Sequence, residues 1–363
     1  LQAEPIANVL GIISFAQELI SVELNFNKIA SSSLKVGVSL SLGLFFIWIV
    51  WRTLTPSDVD SILNSFSTAN YWWIALSVVF GISSHMSRAH RWKYTLEPLG
   101  YKPSFWNSLF AVMIGYLLNL AFPRLGEVTR CGVMSRYENI PINQLFGTVI
   151  AERVADLIIM IVMTSAIIFL QLDVLNDMLS DMIGPTWDSI SFATMALYCI
   201  ALFAIGGISI YFLFKFAEKS AFMAKIKDFI VGVFDGAKSI LTMKQKWGFL
   251  FHTAFIWVMY VLMFYVSMNS LPETSNVPFL GMLAAFVMGG LSIVFVQGGL
   301  GVYPAAIMAV LMLYGVERAD GLALGWIMWT GQTILLIFVG FLCMAILPLY
   351  NKKRRHESPE PNS

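Results

Sequence analysis

Long apolar runs alternate with short polar ones along most of this chain. Residues 34–54, 71–92, 147–172, 190–214, 247–268 and 322–347 are each mostly apolar over about 20 residues or more, the length a helix needs to cross a bilayer. They predict six spanning helices. Two further apolar stretches are interrupted. The first, 105–122, stops at Pro123, and the second, 279–315, is broken at Gly298–Gly301. The proline predicts that 105–122 enters and returns within its own leaflet; 279–315 is either two full crossings or one re-entrant hairpin broken at the glycines, and the shortness of its second segment favours re-entry. Backbone of that kind is tolerated at depth only where protein or a wet cavity satisfies it. The remaining segments are amphipathic or polar. Residues 6–27 carry Glu18 and Glu23 within an N-terminal segment, 1–33, that reads as interfacial. In 215–246, Phe222, Ile226, Phe229, Ile230, Val233 and Phe234 recur at helical spacing among lysines, which predicts an amphipathic helix on the cytoplasmic surface.

The fold expected is therefore an all-α polytopic membrane protein with about six full spans and two re-entrant or broken helical hairpins. One transmembrane domain covers 34–350, and 351–363 form a disordered cytoplasmic tail. Hairpins at corresponding positions of two halves point to an inverted repeat.

Composition agrees with that class. Hydrophobic residues make up 58% and charged residues 12% of the 363, against roughly 25% charged in a soluble domain; mean hydropathy is +0.73. The net charge of +1 gives no reason to expect a nucleic-acid partner. Its placement reports topology instead. The seven lysines of 215–246 and the basic start of the tail belong inside, and Asp173, Asp177, Asp181 and Asp188, in a loop without Lys or Arg, belong outside,. With that orientation the stretch 105–122 starts inside and has to turn back near Pro123. The three cysteines and four histidines are scattered, so neither a disulfide framework nor a metal site is expected. The start, LQAEPIANVL, lacks a basic n-region and reads as a processed terminus and not as a signal peptide.

Charge inside this apolar pattern is concentrated between Asn119 and Asp156. Polar groups at such a place are costly unless they pair or line a cavity. Arg124, Glu127 and Arg130 follow one another at a spacing of three, which places them on one helical face. Arginine grips phosphate bidentately, so one reading gives Arg124 and Arg130 a lipid phosphate, with Glu127 orienting an arginine or meeting an amine. The other reading is an internal salt-bridge cluster that pins the turn. Glu152, Arg153 and Asp156 open the next helix; the acids either satisfy arginines across the cavity or bind a proton or a cationic headgroup. Arg88, with Arg91, closes the second span, where basic residues ordinarily anchor topology and direct contact with cargo is the alternative. Asn119 fits a helix–helix hydrogen bond or the same headgroup. Gln297, Gly298, Gly299 and Gly301 lack the lysine and strand–loop–helix context of a nucleotide site; their glycines let the backbone turn at depth and offer amides to a phosphate. No nucleophile with a partnered base is present, so no catalytic residue and no cofactor is expected, and transport is favoured over enzymatic chemistry.

Read together, the run from Ser87 to Asp156 resembles the lysylphosphatidylglycerol synthase transmembrane family, also called the YbhN-like or UPF0104 family, which includes the flippase domain of the multiple peptide resistance factor. The resemblance rests on Arg88 with Arg91-Trp92, Leu99-Gly100, Gly115-Tyr116 with Asn119, Pro123-Arg124-Leu125-Gly126-Glu127 with Arg130, Glu152-Arg153 with Asp156, and Gly298-Gly299-Leu300-Gly301. It implies an integral protein of the bacterial inner membrane, similar to a lipid flippase, that moves a phospholipid or lipid-linked precursor between leaflets. A membrane enzyme or an accessory subunit acting on a lipid headgroup is the alternative. The implied partners are the lipid, a separate lipid-modifying enzyme and further copies of the chain. No aminoacyl-transferase domain follows residue 347, so lysyl-lipid synthesis is not expected of this sequence. Val302-Tyr303-Pro304 stands where many members carry an acid, which speaks against a cationic aminoacyl headgroup as cargo.

Overall fold

Thr55 opens the first well-defined helix of the computed structural model, which describes residues 47–122, 125–171 and 242–357 together with positions 41, 44, 45, 174 and 240. The expectations for 1–33, for the loop 173–190 apart from position 174, for the span 190–214, for nearly all of 215–246, for Arg124 and for 358–363 lie outside these residues, as does most of the first half of the span 34–54.

All the regular elements described are helical. Helix α1 (Pro56–Thr68) starts at a capping box, in which the Asp58 amide donates to Thr55 Oγ1 and the Thr55 amide donates to Asp58 Oδ2,. It is followed by α2 (Tyr71–Leu96), α3 (Phe105–Ala121), α4 (Leu125–Glu138), α5 (Ile142–Leu170), α6 (Lys246–Met268), α7 (Phe279–Phe295), α8 (Val302–Met312) and α9 (Arg318–Glu357). Helix α9 stays helical through Glu357, carrying Pro348 within it. Its last turns are clamped: Asn351 and Asn107 exchange side-chain hydrogen bonds at 2.8 and 2.9 Å, and Arg354 reaches Glu138 at 2.6 Å.

Within the described residues the expectation of six full spans is corrected to three. Among the described residues, only Ile142–Leu170, Lys246–Met268 and Arg318–Arg354 are long and apolar enough to cross a membrane. The expected span at 71–92 does form a helix, but Arg88 and Arg91 lie inside it and are buried. The helices Phe105–Leu120, Phe279–Val294 and Val302–Met312 are apolar but short; at 1.5 Å per residue the longest rises about 25 Å, less than the ~30 Å hydrocarbon core.

Packing explains how the short helices hold. Helices α2 and α6 run antiparallel, tied at one end by the Asn70 amide on the Ser270 carbonyl (2.8 Å). Small residues let them approach: a Cβ on Gly248 would sit 2.7 Å from the Tyr94 ring, and one on Gly81 would touch Gln332, Leu335 and Met263,. Helices α3 and α4 fold back on each other across the break at 122–124, and α7 and α8 do the same across the turn that begins at Gln297. Helix α9 packs on α1, α2, α3 and α8 and so joins both hairpins to the α2–α6 pair. Two cores result. One fills the space between α2, α3, α4, α5 and the end of α9, around Trp92, Met113 and Met134; the other lies between α6, α7, α8 and the start of α9, around Phe264, Met282 and Leu324.

The α3–α4 hairpin closes at a backbone contact. A Cβ on Gly126 would overlap the Gly115 carbonyl oxygen, and a Cβ on Gly115 would lie 2.8 Å from the Gly126 oxygen. The Gly126 amide is held by Asn119 Oδ1 at 2.8 Å. Gly126→Ala therefore forces backbone against backbone, which no rotamer relieves, and is expected to cost about 1–3 kcal/mol. Gly147→Ala, where nothing lies within 4 Å of the added carbon, is the matched control. Thermal unfolding of the two variants in detergent checks the difference.

Candidate functional site

Five ionised side chains meet where α2, α4 and α5 converge. Helix α2 supplies Arg88 and Arg91, three residues apart on one face. Helix α5 supplies Glu152 and Asp156, four apart and also on one face. Helix α4 supplies Arg130. Asp156 is the shared acceptor: Arg88 Nη1 donates to Oδ2 at 2.7 Å, and Arg91 Nη1 donates to Oδ1 at 2.8 Å. Arg91 Nη1 also donates to Thr253 Oγ1 at 3.0 Å, and Arg88 Nη2 to the Tyr260 hydroxyl at 3.3 Å, so α6 closes the fourth side.

Glu152 is held differently. Its Oε2 lies 2.8 Å from Arg130 Nη2 and its Oε1 lies 3.9 Å from Arg91 Nε. Neither contact has hydrogen-bond alignment. Among the described residues neither oxygen of Glu152 accepts a hydrogen bond, and Arg130 Nε and Nη2 and Arg91 Nε likewise have no acceptor. Yet Glu152 and Arg91 are fully buried, and Arg130 and Arg88 are 3% exposed. Coulomb attraction at short range without aligned hydrogen bonds is an incomplete return for burying charge.

Arg130 gains a further hold from an aromatic face. Its Cζ lies 3.7 Å from the centroid of Trp92, a cation–π distance. Trp92 is fixed in turn, because its Nε1 donates to Thr148 Oγ1 at 2.8 Å. Trp92 and Thr148 thus position Arg130 from α2 and α5 without carrying charge. Near Arg88, the ring of Tyr116 on α3 lies 4.7 Å from that of His85.

The other expected site residues are spread around this cluster. Arg124 lies outside the described residues. Glu127 is half-buried and does not pair with Arg130, although the spacing of three allows it; Arg130 turns instead to Glu152, and Glu127 Oε2 has no hydrogen-bond partner among the described residues. Arg153 is exposed and forms no ion pair among the described residues, with Arg88, Tyr116, Asp156 and Glu127 in electrostatic range. Asn119 caps the break through the Gly126 amide.

Gly298, Gly299 and Gly301 have φ of 65°, 70° and 73°, a left-handed run that costs a side chain about 1–2 kcal/mol per residue. The Gly299 amide donates to the Val296 carbonyl at 2.8 Å, and Trp329 Nε1 donates to the Gly298 carbonyl at 2.7 Å. These two bonds tie the turn to its own hairpin and to α9. Gln297 is part of it, and the turn lies against the end of α3 near Leu120.

Two residues that sequence reasoning left out of the site are central. Arg91, read with Arg88 as a topology anchor with direct cargo contact as the alternative, is fully buried and bridges Asp156, Thr253 and Glu152. Trp92 supports Arg130. The signal was present in the spacing: Arg91 follows Arg88 by three positions, the interval that defines one helical face. Tyr260 and Thr253 gave no local sign, because a tyrosine and a threonine in an apolar helix are ordinary.

Comparison with known proteins bears on this geometry. The family described as "Lysylphosphatidylglycerol synthase TM region" matches residues 34–353. A UPF0104 membrane protein of Methanocaldococcus jannaschii is 30% identical over 138 residues, which is 37% of this chain and 41% of that protein. The glycosyltransferase AglD of Haloferax volcanii is 32% identical over 120 residues, 33% of this chain and 18% of that protein. The aligned parts thus span less than half the length of either relative. No solved structure matches.

Proposed function

The chain belongs to the lysylphosphatidylglycerol synthase TM region family, a family of lipid-handling integral membrane proteins, and we propose that it is a flippase-like transporter moving an anionic phospholipid or lipid-linked amphiphile between leaflets. One observation carries this reading: three buried guanidiniums, Arg88, Arg91 and Arg130, face two carboxylates, Glu152 and Asp156. Burying one unbalanced positive charge costs several kcal/mol, and a phosphodiester supplies the missing negative charge together with oxygens for the guanidinium N–H groups that lack acceptors. Arg130, whose contact with Glu152 is unaligned, is the arginine that exchanges partners at least cost. Arg153, exposed beside the cluster, is the first cation a headgroup meets.

Charge at the two ends of the bundle supports an orientation with the C-terminus in the cytoplasm. Lys93, Lys102, Arg136, Lys246, Lys352 and Lys353 gather where α2, α4 and α9 end and α6 begins, whereas Asp58, Asp60, Glu273, Glu317 and Asp320 outnumber Arg52 and Arg318 at the opposite end. An excess of lysine and arginine marks the cytoplasmic side.

A second reading, an enzyme or accessory subunit acting on a lipid headgroup, draws on the match to part of a glycosyltransferase. One assay separates them. Purified protein in liposomes is expected to accelerate leaflet exchange of fluorescent phosphatidylglycerol well above the protein-free rate, leaving the headgroup intact on mass spectrometry. Headgroup turnover without exchange favours the second reading, and neither activity sinks both.

A further inference from the structure

Helix α9 carries an apolar groove that lies well away from the arginine cluster. Ile334, Ile337, Phe338, Phe341 and Leu342 line it, and its volume is about 470 Å³, within the ~300–1,000 Å³ of pockets that hold ligands. All five side chains are exposed, Phe338 at 69%. The same face continues toward the C-terminus. Steps of three and four residues lead from Phe338 to Leu342, Ala345, Leu349 and Lys352, and each of these is exposed. The opposite face is turned to the protein: Asn351 binds Asn107, Arg354 binds Glu138, and a Cβ on Gly340 would sit 2.6 Å from Leu117 of α3. Lys352 therefore lies on the groove's side of the helix, and it forms no ion pair among the described residues.

We propose that this face binds one anionic phospholipid of the leaflet at the C-terminal end of α9, with its phosphate held by Lys352 and an acyl chain laid over Leu349 and Ala345 into the groove. The site is separate from the transport reading and holds whichever lipid is moved. Its depth matches a lipid. Leu342 lies ten residues before Lys352, about 15 Å at 1.5 Å per residue, and one leaflet supplies half of a ~30 Å hydrocarbon core. A chain whose phosphate sits at Lys352 thus ends in the groove. A lysine at the end of a span ordinarily snorkels to whatever headgroup is nearest. Here the groove beneath it retains one molecule, and the ammonium selects a headgroup with net negative charge.

A second copy of the chain fits this face worse. Copies inserted in one orientation and paired symmetrically through it would set their lysines side by side, a like-charge contact. Helix pairs in lipid close on small residues, whereas this face presents Phe338 and Phe341 and keeps Gly340 for α3.

The test places the photocrosslinker benzoylphenylalanine at Phe338 of the full chain and, as control, at Val162, an apolar position of α5 that is 61% exposed. Both proteins are put into nanodiscs of equal parts phosphatidylglycerol and phosphatidylcholine, and the lipid captured on irradiation is identified by mass. Capture at 338 is expected to favour phosphatidylglycerol about fivefold, the attraction of one lysine at a membrane surface, while capture at 162 follows the composition of the bilayer. Lys352→Gln is expected to bring the ratio at 338 down to that at 162, and Lys352→Arg to retain it. The altered side chains are exposed, so melting in detergent is expected to match wild type. Equal ratios at 338 and 162 without the lysine change leave only solvating lipid and overturn the site. A preference that survives Lys352→Gln overturns the assignment of the phosphate to Lys352. A crosslink from 338 to a second chain overturns the lipid as occupant. Loss of the preference in Arg130→Gln/Glu152→Gln would assign the groove to the transport path and overturn its independence.

Discussion

Asp156→Ala is expected to destabilise this protein by about 3–5 kcal/mol, the range for leaving a buried charge without its partner. The aspartate accepts from Arg88 and Arg91 together, so one truncation strands two guanidiniums whose side chains are at most 4% exposed. No other acid is placed to replace it, because Glu152 reaches only Arg91 Nε, at 3.9 Å. The contrast is Arg354→Ala. Its pair with Glu138 is short, at 2.6 Å, but Arg354 is 44% exposed, and Glu138 keeps the amide of Asn107. Exposed pairs contribute about 0–1 kcal/mol. Melting midpoints in detergent are expected to fall sharply for Asp156→Ala and barely for Arg354→Ala. Equal, small shifts would mean that the α2–α5 ion pairs are not sealed from water in the folded protein.

That asymmetry also marks what the sequence made legible. The period of apolar residues identified α5, α6 and α9, and the breaks at Pro123 and at the glycines of 298–301 located both hairpin turns. One expected span, 71–92, was misread because apolar length was counted without asking what else the helix carried. The stretch 71–92 has the length of a span, but its second half exists to deliver Arg88, Arg91 and Trp92 into the protein. Basic residues at the end of an apolar run look alike whether they reach out to lipid headgroups or turn inward, and only the partner helix decides. The partner is Asp156, 65 to 68 positions away, and no local pattern encodes that pairing. Spacing was a better guide within a helix than between helices. Glu152 and Asp156 at four apart do share a face, whereas Glu127 and Arg130 at three apart do not pair, because Glu152 on α5 draws Arg130 across.

Function and stability separate most cleanly at Arg130. Arg130→Gln removes the guanidinium proposed to hold the phosphate, but it also leaves Glu152 buried without its nearest cation, so a loss of exchange by that variant alone is ambiguous. Removing both charges resolves this. In Arg130→Gln/Glu152→Gln the buried set changes from three arginines and two carboxylates to two and one, and the excess of one positive charge is unchanged. Both amides are uncharged, and exchanging a buried ion pair for uncharged residues is often neutral in stability. The double variant is therefore expected to melt close to wild type, while Arg130→Gln melts well below both. Leaflet exchange of phosphatidylglycerol is expected to stay at least about tenfold below wild type in the double variant, since a charge-assisted hydrogen bond to phosphate contributes about 1.5–3 kcal/mol. Exchange restored along with stability would show that Arg130 holds Glu152 and nothing else, and the phosphate would have to be assigned to Arg88, Arg91 or Arg153.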